Sequence, residues 1–248
     1  MSLDQLQDDW TKLGTEDPLW AVYVAPGTRG GKWDVEAFFE LGRREVDGAF
    51  AELERRGLTP GRARALDFGC GVGRLSQALA QQVDEVIGVD IAPSMLAKAR
   101  ELDRSAGRVQ FVLNQKPDLS DVETASIDIV YSSLVLQHLP PDLVAGYLRE
   151  FVRVLAPFGV AIFQGASRPT NSVKGLIFRL APWPVLRWAQ RKLLRYPAPM
   201  RMTRLSPEGV RAAIAGTPGR LRAAIDDDSY GGHWHYTRYY LVKDLTTN

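Results

Sequence analysis

The residues that build disulfides and soft-metal sites are scarce in this chain of 248 residues, which has one cysteine, Cys70, and three histidines, His138, His233 and His235. A single thiol forms no intrachain disulfide, and the four residues fit no zinc-finger spacing, so no metal site is expected. No run of about 20 residues is free of both charge and proline, so no membrane-spanning helix is expected. The first ten residues carry Asp4, Asp8 and Asp9 and no apolar run, unlike a secretory signal, and a cytoplasmic protein is expected. Internal repeats and low-complexity tracts are absent. Hydrophobic residues make up 45% and charged residues 24%, a globular balance that excludes disordered, collagen-like and coiled-coil chains.

One further absence is local. From Phe151 to Pro207 there is no Asp or Glu, while ten Lys and Arg stand in the same 57 residues. The net charge of +2 therefore hides a basic segment on an acidic body.

Apolar periodicity orders the rest. Residues 1–60 read as an aromatic-rich helical lead-in, with Trp20, Tyr23 and Trp33 as candidates for a lid, and a helix spans about Asp34 to Arg56 before Gly57. Strands are expected at Ala63–Phe68, Glu85–Asp90, Val109–Leu113, Ile127–Ser132 and Val160–Phe163. Helices are expected at Leu75–Val83, at Ser94–Arg104 behind Pro93, and at Asp142–Leu155. This alternation predicts a doubly wound α/β fold with a mostly parallel sheet. A helix capped by Ser206 follows, then two strands, Leu221–Ile225 and Trp234–Val242, around an Asp-Ser-Tyr-Gly-Gly turn. The expected organisation is a single domain over 1–248. It divides into a lid (1–60), a core (61–165), a basic cap insertion (166–205) and a C-terminal helix with a strand pair (206–248).

Between the first strand and its helix runs Asp67-Phe68-Gly69-Cys70-Gly71-Val72-Gly73. Glycines permit the tight turn and let backbone amides approach a ligand. The second strand ends in Asp90, placed to accept two hydrogen bonds from a ribose diol, although a helix cap is the other use of such an acid. Dinucleotide enzymes share this arrangement, but their third fingerprint glycine is Arg74 here.

The spacing Asp-x-Gly-x-Gly-x-Gly resembles the first motif of the class I S-adenosylmethionine-dependent methyltransferases. Val86 to Leu96 resembles the second motif of that family, Ile127 to Leu139 its fourth-strand block, and Arg149 to Val160 its helix-to-fifth-strand block, with Phe158-Gly159 where the family usually has Gly-Gly. The resemblance implies a Rossmann-like methyltransferase fold with an antiparallel last strand, and S-adenosyl-L-methionine as cofactor. It implies that Asp67, Gly69, Gly71 and Gly73 form the loop at the methionine end. Asp90 would take the ribose hydroxyls, and Ile91 and Met95 would flank the adenine. Asn114 and Gln115 stand where the family often has Gly-Asp toward the adenine amino group. Ser133 and Leu134 would approach the methionine amino group and sulfonium.

Methyl transfer from a sulfonium is an in-line displacement that needs a base only when the acceptor must lose a proton. His138, after the fourth strand, is the candidate general base, and a structural histidine at the Pro140-Pro141 turn is the alternative. Cys70 reads as a small filler, and His233 and His235 as surface or cap histidines. The basic insertion mixes apolar and cationic residues, which suits a small-molecule or lipid-like substrate, an anionic membrane surface, or a solvated cap. No nucleic-acid recognition motif is present. The leading reading is a methyltransferase acting on a small or lipid-like molecule. The alternatives are an inactive cofactor-binding interaction protein and a nicotinamide-dependent oxidoreductase.

Overall fold

The computed structural model describes residues 2–227 and 233–245. A seven-stranded sheet in the order β3-β2-β1-β4-β5-β7-β6 forms its centre. The strands are β1 (Arg64–Phe68), β2 (Glu85–Asp90), β3 (Val109–Leu113), β4 (Ile127–Ser132), β5 (Leu155–Pro169), β6 (Gly219–Asp227) and β7 (Trp234–Lys243). Strands β1 to β5 pair in parallel, and β7 lies antiparallel between β5 and β6. The expected α/β class and the antiparallel last strand are thus both present. The Asp-Ser-Tyr-Gly-Gly turn lies outside the described residues.

Both sheet faces are covered. Helices α3 (Val35–Arg55) and α4 (Arg74–Leu79) pack Val46, Phe50, Leu53 and Leu79 on the face carrying Ala65, Ile129, Tyr131 and Ile162. Helices α6 (Pro141–Val154) and α9 (Pro207–Ala213) bring Leu148, Phe151, Val210 and Ile214 to the face carrying Leu66, Val130, Phe163 and Tyr239. Helix α5 (Pro93–Glu101) has Pro93 in its first turn, where a missing N–H costs nothing. Ser206 caps α9 by accepting the Gly209 N–H.

Strand β5 is much longer than the expected Val160–Phe163. Leu155 already pairs with Ile127, and an irregularity lets the Ala156-Pro157-Phe158-Gly159 run remain in the strand. At the other end Ala166 accepts the Leu205 N–H, and β5 pairs with β7 as far as Pro169. The basic insertion then forms α7 (Val173–Leu180) and α8 (Trp183–Lys192), followed by an extended return. The N-terminal segment forms α1 (Leu3–Glu16) and α2 (Pro18–Val22), with Ser2 capping α1 through the Gln5 N–H.

Candidate functional site

The turn between β1 and α4 lies at the carboxyl ends of the parallel strands, where open α/β sheets bind ligands. Gly71 has φ +52°, and a Cβ built there would stand 2.7 Å from Val22 of α2. Gly73 has φ +79° as the N-cap of α4, and a Cβ there would meet the Phe111 ring at 2.8 Å. Side chains are strained at such φ values, and at both positions the space is already taken.

Asp90 braces this turn. Its Oδ2 accepts the Gly71 N–H at 2.8 Å and its Oδ1 accepts the Ala92 N–H at 2.8 Å. Burial pushes the Asp90 pKa up, and the Ala92, Gly71 and Ile91 N–H groups oppose the rise. An ionised carboxylate has about four lone-pair sites, so these backbone donors do not exhaust it. Asp67 points elsewhere. It is 1% exposed and accepts the Ser76 hydroxyl at 2.6 Å, and burial raises its pKa to about 7. Cys70 is buried with its thiol pKa pushed well up by burial and by nearby Asp90 and Asp67, which makes it inert packing.

A cavity of about 740 Å³, including its open mouth, lies beside the turn. Of the residues singled out in the sequence, Gly69, Gly71, Asp90, Ile91, Met95, Asn114, Ser133, Leu134 and His138 line it. Asp67 and Gly73 sit behind the turn, and Gln115 is exposed outside the cavity. Asn114 holds its own loop together, its Oδ1 accepting the Lys116 N–H and its Nδ2 donating to the Asp118 carbonyl. Leu134 adopts φ +62°, and its N–H donates to Gln164 Oε1 at 3.2 Å.

The cavity roof comes from α1 and α2. Leu3, Leu6 and Trp10 project from one side of α1, and Val22 adds to them from α2. Trp20, Tyr23 and Trp33 do not line the cavity. Trp20 packs edge-on against Tyr196 of the insertion, and Tyr23 against Trp33. The spacing 3-6-10 was the available signal for the roof, masked by the acids between. Tyr147 also lines the cavity, and its hydroxyl donates to the Lys116 carbonyl at 2.8 Å.

His138 sits in a 3-10 turn, Leu136–His138, packed edge-on against Trp10. Its Nδ1 is 2.7 Å from the Arg201 carbonyl oxygen. A carbonyl only accepts, so Nδ1 carries the proton and, in the neutral ring, Nε2 carries the lone pair. Burial lowers the His138 pKa to about 4, which keeps the ring neutral near pH 7. The same strip is stitched twice more, as the Thr203 N–H donates to the Gln137 carbonyl and the Thr203 hydroxyl to the Leu139 carbonyl. Among the described residues, no group of three or more His, Cys, Asp or Glu could hold a metal ion, and no helix is long and apolar enough to cross a membrane.

Comparison with known proteins agrees with this geometry. Residues 66–163 match the family described as methyltransferase domain. The chain is 32% identical over 182 residues to a malonyl-[acyl-carrier protein] O-methyltransferase of Enterobacter lignolyticus, covering 73% of this chain and 63% of that one. It is 29% identical over 145 residues to a ubiquinone biosynthesis O-methyltransferase of Hahella chejuensis, covering 56% and 58%. The matches thus span less than two thirds of these curated relatives. The crystal structure of magnesium protoporphyrin IX methyltransferase from Synechocystis with bound SAH superposes with a TM-score of 0.66 at 19% identity, covering 98% of this chain and 99% of that one, a likeness of fold. The strand order, the glycine turn and the Asp90 brace thus agree with the match of residues 66–163 to the methyltransferase-domain family, on a fold shared with S-adenosylmethionine-dependent methyltransferases.

Proposed function

We propose that this chain transfers a methyl group from S-adenosylmethionine to a hydroxyl or carboxyl of an apolar small molecule. The observation that carries this reading is Asp90, whose carboxylate holds the Gly71 amide at the lip of an otherwise largely apolar cavity. The residues present fit the cofactor. Asp90 faces the cavity with acceptor capacity left for a ribose hydroxyl, Ile91 and Met95 give apolar walls, and Gly69 and Gly71 take up no side-chain volume. S-adenosylmethionine, when bound, supplies a methyl group activated by a positive sulfur.

The chain's own residues do the rest. Leu3, Leu6 and Trp10 exclude water, which strengthens the electrostatic interactions inside. The Nε2 of His138 accepts the hydrogen bond of an acceptor hydroxyl and takes its proton as the oxygen gains the methyl group. A carboxylate acceptor arrives ionised and needs no such base. Support for an apolar acceptor also comes from relatives whose names include ubiquinone biosynthesis and 2-methyl-6-phytyl-1,4-hydroquinone.

The test is transfer of labelled methyl to a panel of hydroquinones, phenols and acyl carboxylates. Turnover of an apolar hydroxyl or carboxyl acceptor is expected. If every acceptor fails while the protein binds the cofactor, the transfer reading is wrong. His138→Asn keeps a donor for the Arg201 carbonyl and removes the Nε2 lone pair. It should slow a phenol acceptor by about 10²- to 10⁴-fold and leave a carboxylate acceptor little changed.

A further inference from the structure

Seven of the eleven large apolar side chains exposed among the described residues fall between Leu176 and Leu194. Leu176, Ile177 and Leu180 share one side of α7 at 48%, 49% and 70% exposure. Val185, Trp188 and Lys192 share the outer side of α8, with Trp188 at 56% exposure. Beyond α8, Leu193 is 67% exposed and Leu194 50%. Soluble surfaces carry such side chains singly, and a clustered set marks a contact face.

Charge decides what the face contacts. Arg187, Arg191 and Lys192 line a shallow groove with Trp188, and exposed Arg195 follows. The insertion itself holds no carboxylate. Burial pushes the carboxyl pKa of Asp9 in α1 up, and Lys12, Arg187 and Arg191 oppose the rise. A protein partner would need an acidic, apolar surface of matching shape. A nucleic acid would use the cations and leave the aliphatic side chains in water. A bilayer with anionic headgroups satisfies both at once, the leucines and Trp188 reaching the acyl boundary while the cations stay at the phosphates.

We infer that the α7–α8 insertion is a peripheral docking surface for an anionic lipid bilayer. The inference rests on exposure and charge and stands whether or not the methyl acceptor is itself a lipid. The docking surface is joined to the cavity, because the Arg201 carbonyl at the end of the insertion holds His138.

The experiment is co-sedimentation of the full chain with vesicles of phosphatidylcholine alone or with about 30 mol% phosphatidylserine, at low and high salt. Salt cuts the Debye length from about 10 Å at 0.1 M to about 3 Å at 1 M. Wild type is expected in the pellet with the anionic vesicles at low salt and largely in the supernatant with the neutral ones. Arg187→Gln/Arg191→Gln/Lys192→Gln/Arg195→Gln should weaken partitioning by at least about tenfold. Leu180→Ser/Trp188→Ser/Leu193→Ser should weaken it comparably at full charge. Both variants are first checked for an unchanged melt and unchanged S-adenosylhomocysteine affinity. If wild type stays in the supernatant with anionic vesicles at low salt, the inference fails. It also fails if the apolar variant sediments like wild type. Tight binding to a single-stranded oligonucleotide by wild type and the apolar variant, with no vesicle binding, would assign the cations to nucleic acid instead.

Discussion

Asp90 Oδ2 receives the backbone N–H of Gly71 at 2.8 Å, so the acid that ends β2 sets the shape of the turn that follows β1. The two residues come from separate βα units and meet because β1 and β2 are parallel neighbours, with Phe68 opposite Val89. A ligand group at Asp90 therefore meets a glycine turn already held in place.

Gly71→Val is expected to damage both fold and site. The φ of +52° costs an L side chain about 1–2 kcal/mol, and the new side chain drives into Val22 of α2. A lowered melting temperature together with lost S-adenosylhomocysteine binding is the expected result. Unchanged values of both would place the turn away from the ligand.

Arg74 and Glu45 form a buried ion pair at 2.9 Å, with side chains 3% and 5% exposed. Arg74 stands where a dinucleotide-binding turn has its packing glycine, and here it ties α4 to α3. Arg74→Met removes one buried partner of Glu45 and should cost about 3–5 kcal/mol in urea unfolding. Arg74→Met/Glu45→Leu should recover a large part of that loss.

The Arg29 guanidinium lies over both the Trp20 and Tyr196 rings, at 5.1 and 5.2 Å, and donates to the Leu194 and Arg195 carbonyls. It fastens the N-terminal segment to the end of the insertion. Arg29→Ala should cost roughly 1 kcal/mol and speed ligand release from under α1, read by stopped-flow displacement. An unchanged release rate would show that this fastening does not govern the roof.

Two buried titratable groups oppose each other in acid. His138 is held at about 4 against an ordinary 6.5, so unfolding takes up a proton between those values and stability falls as pH drops through them. Asp67 is held at about 7 against 3.8, so unfolding releases a proton in that window and stability falls as pH rises through it. Each effect is on the order of 3–4 kcal/mol. Asp67→Asn should leave a stability that rises with pH between about 4 and 6.5, and His138→Asn one that falls. Denaturant titrations across that range would show the two slopes, and equal slopes in both variants would remove these groups as the source.

The parallel core was legible because β1 to β4 are short apolar runs and helices follow β1, β2 and β4, with Pro93 as a start signal for α5. Gly71 and Asp90 were legible because the turn and the acid sit at a recognisable interval. The length of β5 was not, since Pro157 and Gly159 read as a turn and only the pairing of Leu155 with Ile127 keeps them in the strand. The cavity roof was hidden because Leu3, Leu6 and Trp10 alternate with acids on a helix whose partner is far along the chain. The tautomer of His138 depends on a carbonyl 63 residues away, which no local pattern encodes.

The most direct test of the cofactor site is calorimetric titration of S-adenosylhomocysteine into wild type and Asp90→Ala. Wild type should bind with one-to-one stoichiometry and show no comparable heat with NAD. Loss of two charge-assisted hydrogen bonds should weaken the variant by about 2–4 kcal/mol, or roughly 30- to 1,000-fold, at a melting temperature that shows it folded. A wild type that does not bind S-adenosylhomocysteine, or a folded Asp90→Ala variant that binds it equally well, would contradict the account.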